Sequence, residues 1–272
     1  MQPHLTPALA YVIEHNDIEY TFARLEGMRQ AEGNPLRIAI QRFGGATAFR
    51  IEAWPEFWYG NRALGLNPNS RDHLDEIVQF FASRQLDFRI ELIPGDLDSE
   101  LARRLHGYGF SQMGFSTAMY GLPKKTQASP ITQDITVRAV QPGEIEKFID
   151  LYQTAFGEPE LNPTEKQVVR TWLEHESANL NLYMAFIKGQ PAAVSVLYTK
   201  NGICLLADAA TLPEFRGRGC HAAMIQQRIT EAARRHCELV TSFVAFGSPS
   251  HRNLERLGLR VAYTKALWWK VK

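Results

Sequence analysis

A single run, Thr211-Leu-Pro-Glu-Phe-Arg-Gly-Arg-Gly-Cys-His-Ala222, has the residue types and spacing for chemistry on an anion. Gly217 and Gly219 alternate with Arg216 and Arg218. Glycine lets a backbone approach a ligand closely, and arginine adds positive charge. The flanks decide what the run does. Gly202 to Ala210 reads as a strand, with Ile203, Leu205 and Leu206 apolar behind an Asn201-Gly202 hairpin turn. After the run, Ala222, Ile225, Ile229 and Ala232 recur at helical spacing, with Gln226, Gln227, Arg228 and Glu231 between them. A strand that passes through a glycine turn into a helix start presents N–H groups with no internal acceptor, at the positive end of the helix dipole. The pattern predicts a phosphate or pyrophosphate ligand. It contains neither GxxxxGK[ST] nor GxGxxG, so it is neither a nucleoside triphosphate loop nor a dinucleotide fingerprint.

Other reactive side chains cluster around this run in sequence. Asp208 is an acid inside an apolar strand; partial burial would raise its pKa and make it a base, while a solvent-facing or arginine-paired carboxylate is the plainer reading. His221 is a second base candidate, or a helix-start residue touching phosphate or water. Cys220 stands at a helix start between arginine and histidine, which lowers a thiol pKa; it reads as a small loop residue, with an acyl-cysteine nucleophile as the other reading. Ser250 and Asn253, with Ser248, either touch the ligand or cap a short helix. Glu174, His175 and Glu176 form a charged helix end that is either solvated or borders a second substrate. Trp54, Phe57, Trp58 and Tyr59 read as core, or as one wall of an acceptor pocket; Trp268 and Trp269 read as core and interface.

The whole chain must position these groups. It has 272 residues, 45% hydrophobic and 22% charged, an ordinary globular composition with room for two domains. Thirty basic against 29 acidic residues give a charge of +1, so no net field draws it to nucleic acid or to an anionic membrane. No apolar run approaches the roughly 20 residues of a bilayer span. Met1-Gln-Pro-His-Leu5 does not read as a signal peptide. Cys204, Cys220 and Cys237 have no metal spacing and are too few for a disulfide framework, so a reducing cytoplasm is the expected location and no metal is expected.

The elements fall into two series. In the first, Asn16 caps a helix through Leu25, strands cover Leu36–Phe43 and Ala46–Glu52, and a helix face runs from Leu74 to Phe81. A strand at Phe88–Ile93, a short helix from about Ser99 to His106 and a strand ending near Tyr120 follow. Gly121 to Asp134 is polar, carries two prolines and has no period, as a linker would. From Ile135 the order restarts: a strand, a helix closed by Gly157, a capping box at Thr164–Gln167, three strands in hairpin order, the arginine-glycine turn and its helix. The strand Leu239–Phe246, a short helix at Asn253–Leu257 and the strand Val261–Val271 complete it. Leu105, Gly109 and Phe110 match Leu254, Gly258 and Leu259 at a constant offset, a degenerate tandem repeat. The division predicted is residues 1–121, a linker at 122–134, and residues 135–272.

Arg216-Gly-Arg-Gly219, behind Thr211-Leu-Pro213 at a strand end, resembles the acyl-CoA loop of the GNAT-type N-acetyltransferase family. His221 departs from the family's final Gly/Ala position; its side chain would either crowd the pyrophosphate or donate to it. The resemblance implies two tandem α/β (α+β) domains, each a mixed, mainly antiparallel sheet flanked by helices. The C-terminal domain would transfer an acetyl or other acyl group directly from acyl-CoA to a small-molecule or peptide amine. Arg216, Gly217, Arg218, Gly219, Cys220, His221 and Ala222 would hold the pyrophosphate. Ala209, Ala210 and Thr211, on a strand that splays from its neighbour, would hold pantetheine and the thioester, with Ser250 and Asn253 nearby and Asp208 as base. Where much of the family has a tyrosine acid, four residues before Gly258, this chain has Leu254; Ser250, a water or unassisted departure would replace it. The N-terminal half, with Leu66-Asn-Pro-Asn-Ser-Arg71 in place of the loop, is expected to bind CoA poorly or not at all, and to shape the acceptor site or a homodimer contact. The competing reading is a non-catalytic acyl-CoA sensor.

Overall fold

The protein is described by a computed structural model covering residues 3–123 and 134–270; most of the expected linker lies outside the described residues. The chain forms two compact units. One is His4–Ala118 together with the residues from Ala262 onward; the other is Met119–Val261 together with Pro3.

The first unit opens with α1 (Pro7–Arg29), a helix of 23 residues capped by Thr6, whose hydroxyl accepts from Leu9 N–H, with Pro7 at the first helical position. The cap expected at Asn16 is therefore wrong: Asn16 lies mid-helix and is buried, as are Glu14 and Asp17. Acids and amides on the inward face hid the helical period from an apolar count. β1 (Ile38–Phe43) and β2 (Ala46–Ile51) form the expected hairpin, with Ile38 opposite Ile51 and Phe43 opposite Ala46. β3 (Arg62–Leu64), α2 (Leu74–Ala82), β4 (Arg89–Leu92), α3 (Ser99–Gly107) and β5 (Phe110–Gly121) follow. Asp98 caps α3 by accepting from Leu101 N–H. β3 and β4 run parallel, the other assigned pairs of this unit antiparallel. Leu74, Ile77 and Phe81 of α2 and Leu101 and Leu105 of α3 bury against Phe88, Ile90 and Phe110; Phe81 and Phe88 stack at 3.9 Å. Each such ring contributes roughly 2 kcal/mol by leaving water.

The second unit comprises β6 (Ile135–Ala139), α4 (Ile145–Phe156), α5 (Pro163–His175), β7 (Leu180–Ile187), β8 (Gln190–Lys200), β9 (Ile203–Thr211), α6 (Cys220–Arg234), β10 (Leu239–Ala245) and α7 (Pro249–Arg256). Gly157 ends α4 in the left-handed conformation, as expected. The capping box of α5 is Asn162 with Glu165, two residues before the predicted one, and Pro163 occupies the first helical position. The sheet order is β10-β9-β8-β7-β6, antiparallel except for β9 with β10.

β11 (Arg260–Lys270), the last strand, belongs from Ala262 onward to the first unit. It pairs antiparallel with β4, Ala266 opposite Leu92 and Trp269 opposite Arg89, so it does not close the sheet of residues 135–261. An ionic cluster explains its place. Lys265 is 0% exposed and its ammonium lies 2.6 Å from Asp17, 3.1 Å from Glu14 and 3.3 Å from Glu91. Arg62 reaches Glu91 at 2.9 Å and Asp17 at 3.3 Å, and Arg89 reaches Glu91 at 2.6 Å. Tyr263 donates to Glu14 at 3.0 Å. A buried lysine without these carboxylates would cost several kcal/mol, so the charges of α1, β3 and β4 determine which strand can lie there. Burial drives the Glu14 carboxyl up to about 7, whereas Arg62, Arg89 and Lys265 together outweigh burial and hold Glu91 below its ordinary value.

Candidate functional site

The site is built on β9. β8 pairs with it from Lys200↔Ile203 to Ala193↔Thr211 with one slip: Ser195 faces Ala209 and Val196 faces Ala207, so Asp208 is the extra residue of a β-bulge. On its other side β9 runs parallel to β10 only through Ile203↔Leu239, Cys204↔Val240 and Leu205↔Thr241. One side-chain bond continues the contact, from Ser242 Oγ to the Leu206 carbonyl at 3.1 Å. Among the described residues the ladder ends there. β10 is therefore not paired with the stretch from Asp208 to Thr211, which is the splay that the family resemblance implies. Asp208 and Ala209 are half-buried there.

Arg228 was not singled out from the sequence, and it holds this distortion. It is 1% exposed, and its Nη1 donates to the carbonyls of Val196 at 3.0 Å and Ala207 at 2.7 Å, the facing pair that borders the bulge on one side, while Nε donates to Met224. The available signal was its position: Arg228 sits four residues after Met224 and directly before Ile229, at the border of the apolar stripe of α6.

After β9, Leu212 N–H donates to Ala192 at 2.9 Å, and Pro213–Phe215 makes one 3-10 turn. Gly217 (φ +75°) and Gly219 (φ +94°) are both left-handed, and Gly219 is the N-cap of α6. A side chain at either position would be strained, which is why the turn needs glycine there. No side chain caps α6. The first intrahelical acceptance is by the Gly219 carbonyl, from Ala223 N–H at 3.0 Å; among the described residues the N–H groups of Gly217 to Ala222 donate to no backbone carbonyl. The segment is thus a row of free donors at the dipole end of a 15-residue helix. Arg216 Nε donates to the Thr211 carbonyl at 3.2 Å, and the Arg218 guanidinium lies 5.5 Å from the centre of the Phe215 ring. Both arginines remain exposed beside the turn.

Three further predicted residues meet at the start of α6. His221 Nδ1 lies 3.1 Å from Asn253 Nδ2, and Nε2 lies 3.4 Å from Ser250 Oγ. The Asn253 Oδ1 accepts from Arg256 at 3.3 Å, which turns its amide NH₂ toward the ring. Nδ1 is then an acceptor and the proton resides on Nε2, facing Ser250. Burial, with Arg228 adding to it, lowers the His221 pKa to about 4, so the ring is neutral. His221 is thereby held against α7 by its hydrogen bonds. Ser248, rather than Ser250 or Asn253, caps α7, accepting from His251 N–H at 3.1 Å.

Two positions are apolar core. Cys220 is 1% exposed and packs with Ala185, Ile187, Ala192, Ala193 and Met224; burial raises its thiol pKa, outweighing the flanking Arg218. The alternative reading of Cys220 as an acyl-cysteine nucleophile therefore fails, and the residue opens α6 as part of the core. Leu254 is also core, packed with Leu259, Ile225 and Ile229, so no proton donor stands at that position.

The first unit has the corresponding turn in a closed form. Asn67 N–H and Ser70 Oγ bond to each other at 3.1 Å, Asn69 N–H donates to Asn67 Oδ1 at 2.9 Å, and Arg71 pairs with Asp98 at 3.1 Å and Glu100 at 2.9 Å. The expected Asn/Ser helix cap is instead this local turn; neither Ser70 nor His73 makes a side-chain cap. The helix-to-strand turns do correspond: Gly109 N–H donates to His106 at 2.8 Å and Gly258 N–H to Glu255 at 2.9 Å, both glycines left-handed. Among the described residues no helix is long and apolar enough to cross a membrane, and no group of three or more His, Cys, Asp or Glu could hold a metal ion.

Comparison with known proteins agrees with this geometry. Residues 127–244 match the family model described as "Acetyltransferase (GNAT) domain". No curated protein matches the sequence. Among solved structures, a GCN5-related N-acetyltransferase from Kribbella flavida is 17% identical, with 93% of this chain and 95% of that one covered at a TM-score of 0.65. One from Sphaerobacter thermophilus is 16% identical, covering 83% and 76% at 0.60. A tandem GNAT protein from the clavulanic acid biosynthesis pathway is 13% identical, covering 93% and 95% at 0.57. The chain therefore has the GNAT fold, and its residues 127–244 match the GNAT acetyltransferase domain.

Proposed function

We infer that the second unit binds acyl-CoA and transfers its acyl group directly to an amine. One observation carries this reading: six successive N–H groups, from Gly217 to Ala222, donate to no backbone carbonyl at the start of α6, which follows a strand that has parted from its neighbour. The donors and Arg216 and Arg218 take the pyrophosphate. Pantetheine extends along the open backbone of Ala209, Ala210 and Thr211 as a pseudo-strand. Ser250 and Asn253 flank it, held in register by His221. Cys220 and Ala222 contribute backbone N–H groups.

In the transfer, the amine nitrogen attacks the thioester carbonyl carbon, the C–S bond breaks and sulfur leaves with the bonding pair as a thiolate. The new amide nitrogen loses its extra proton to Asp208, which the bulge projects from the run of paired residues. Water or the Ser250 hydroxyl returns a proton to sulfur; a CoA thiolate also tolerates departing unprotonated near neutral pH. The acceptor is a small-molecule or peptide amine.

The buried Leu254 favours a second reading, a unit that binds acyl-CoA without turning it over. Calorimetric titration of the full chain with acetyl-CoA, paired with thiol release over a panel of amines, separates the two. Heat of binding with thiol release supports transfer; heat without release supports the sensor. Arg216→Glu should weaken binding more than tenfold, since a lost charge-assisted hydrogen bond is worth about 1.5–3 kcal/mol. Absence of binding by the unmodified chain rejects both.

A further inference from the structure

We propose that the first unit binds a small dianion, a phosphate monoester or a dicarboxylate, in a cavity walled by Arg37, Arg50 and Arg84. The cavity, of about 430 Å³, lies where the loop from α1 to β1 meets β2 and the end of α2. Its lining carries three guanidinium groups and one carboxylate, Glu52, a surplus of two positive charges.

Arg50 is the base of the site. It is 8% exposed and its guanidinium lies 4.3 Å from the centre of the Phe80 ring. Nη1 donates to the Phe80 carbonyl and Nη2 lies 3.2 Å from Glu52 Oε1. Its Nε–H is buried and has no acceptor. Arg84 Nε lies 3.2 Å from the same Glu52 oxygen. One carboxylate oxygen thus serves two guanidiniums, which demonstrates the geometry this wall offers an anion and leaves its charge undersatisfied. Proteins rarely bury a guanidinium without full compensation.

Arg37, an exposed residue, also lines the cavity. It adopts φ +51°, a conformation that asparagine or glycine holds at lower cost. The turn is fastened by Asn34, whose side chain donates to the Ile38 carbonyl at 3.0 Å and accepts from Ile38 N–H at 2.9 Å. Among the described residues the Arg37 guanidinium meets no carboxylate. Guanidinium pairs recognise planar or tetrahedral oxyanions through paired N–H groups, and the cavity is large enough for a scaffold beyond the anionic head.

The test uses the full chain carrying Arg216→Glu, so that the donors at α6 do not supply the signal. Inorganic phosphate and succinate are titrated at low ionic strength by calorimetry, with acetate as the monoanion control. At least one dianion is expected to bind ten times or more tightly than acetate. Arg37→Gln and Arg84→Gln, both exposed changes that leave the Phe80 contact of Arg50 intact, should each weaken that binding about tenfold. Phosphate preference identifies a phosphate monoester, succinate preference a dicarboxylate. No preference for a dianion over acetate, or binding indifferent to both substitutions, overturns the proposal.

Discussion

Replacing Lys265 with methionine tests whether the charges of α1 and β4 hold the last strand in the first unit. In the native cluster Lys265, Arg62 and Arg89 balance Glu14, Asp17 and Glu91. Methionine keeps most of the volume and removes one positive charge from a site with 0% exposure. Breaking a buried pair in this way costs about 3–5 kcal/mol, because a carboxylate is left uncompensated. The strained carboxylate has an escape. Glu14 already titrates at about 7 against an ordinary value of 4.5, and loss of Lys265, which lowers it, raises it further. Below pH 7 Glu14 is protonated in the variant and the remaining charges balance. Above pH 7 wild-type Glu14 has ionised while the variant's still holds its proton, so the cost should grow by about 1.4 kcal/mol per pH unit until that proton is lost. The assay is urea unfolding followed by tryptophan fluorescence at pH 6 and 8.5. Of the five tryptophans, Trp54, Trp58, Trp268 and Trp269 belong to the first unit and report on it. With a slope near 2 kcal/mol/M, a 3–4 kcal/mol loss moves the midpoint by roughly 1.5–2 M. Lys265→Met with Glu14→Gln should recover much of the loss and flatten its pH dependence. An equal loss at both pH values, or no recovery in the double variant, would refute the reasoning.

Other consequences are separately measurable. Gly217 has open space where a Cβ would go but φ of +75°, so Gly217→Ala meets only backbone strain of about 1–2 kcal/mol; the melting temperature should fall by only a few degrees while acetyl-CoA affinity falls about tenfold. His221 is neutral in the fold down to about 4 and titrates near 6.5 when unfolded, so the stability it confers is complete above 6.5 and is lost as pH falls towards 4; His221→Gln should flatten that acid limb in a pH series of thermal melts. Arg228→Met leaves two bulge carbonyls without their donor, each costing about 1–3 kcal/mol, and should reduce kcat more than acyl-CoA affinity; Arg228→Lys should not restore it, since an ammonium lacks the guanidinium fork.

The turn and its strand were legible because their signals are local. Glycine at left-handed positions, an arginine beside each, and the change from strand to helix period lie within twenty residues, and the structure reproduces them. The hairpin of β1 and β2 and the C-cap at Gly157 were legible for the same reason. Where sequence reading failed, the controlling contact was distant or the pattern was polar. α1 buries Glu14, Asn16 and Asp17, so its inward face looks like a surface until Arg62 and Lys265 supply their partners. The destination of β11 depends on the same residues, which are separated from Lys265 by more than 170 positions.

Arg228 illustrates the difference between finding a site and finding what shapes it. Asp208 could be suspected because an acid interrupts an apolar strand. The bulge that makes it exceptional appears only when the register of β8 against β9 is known, since the slip between Ser195 and Val196 leaves no mark in either strand's composition. An arginine twenty residues later then donates to both carbonyls of the facing pair that borders the slip, Val196 and Ala207. The same helix thus offers free N–H groups at its start and a buried guanidinium two turns on. If acyl-CoA binds the former, its thioester end is aligned with the strand distortion stabilised by the latter. Under the proposed function, donor recognition and base placement would both depend on α6, and a substitution confined to Asp208 would test only one end of that arrangement.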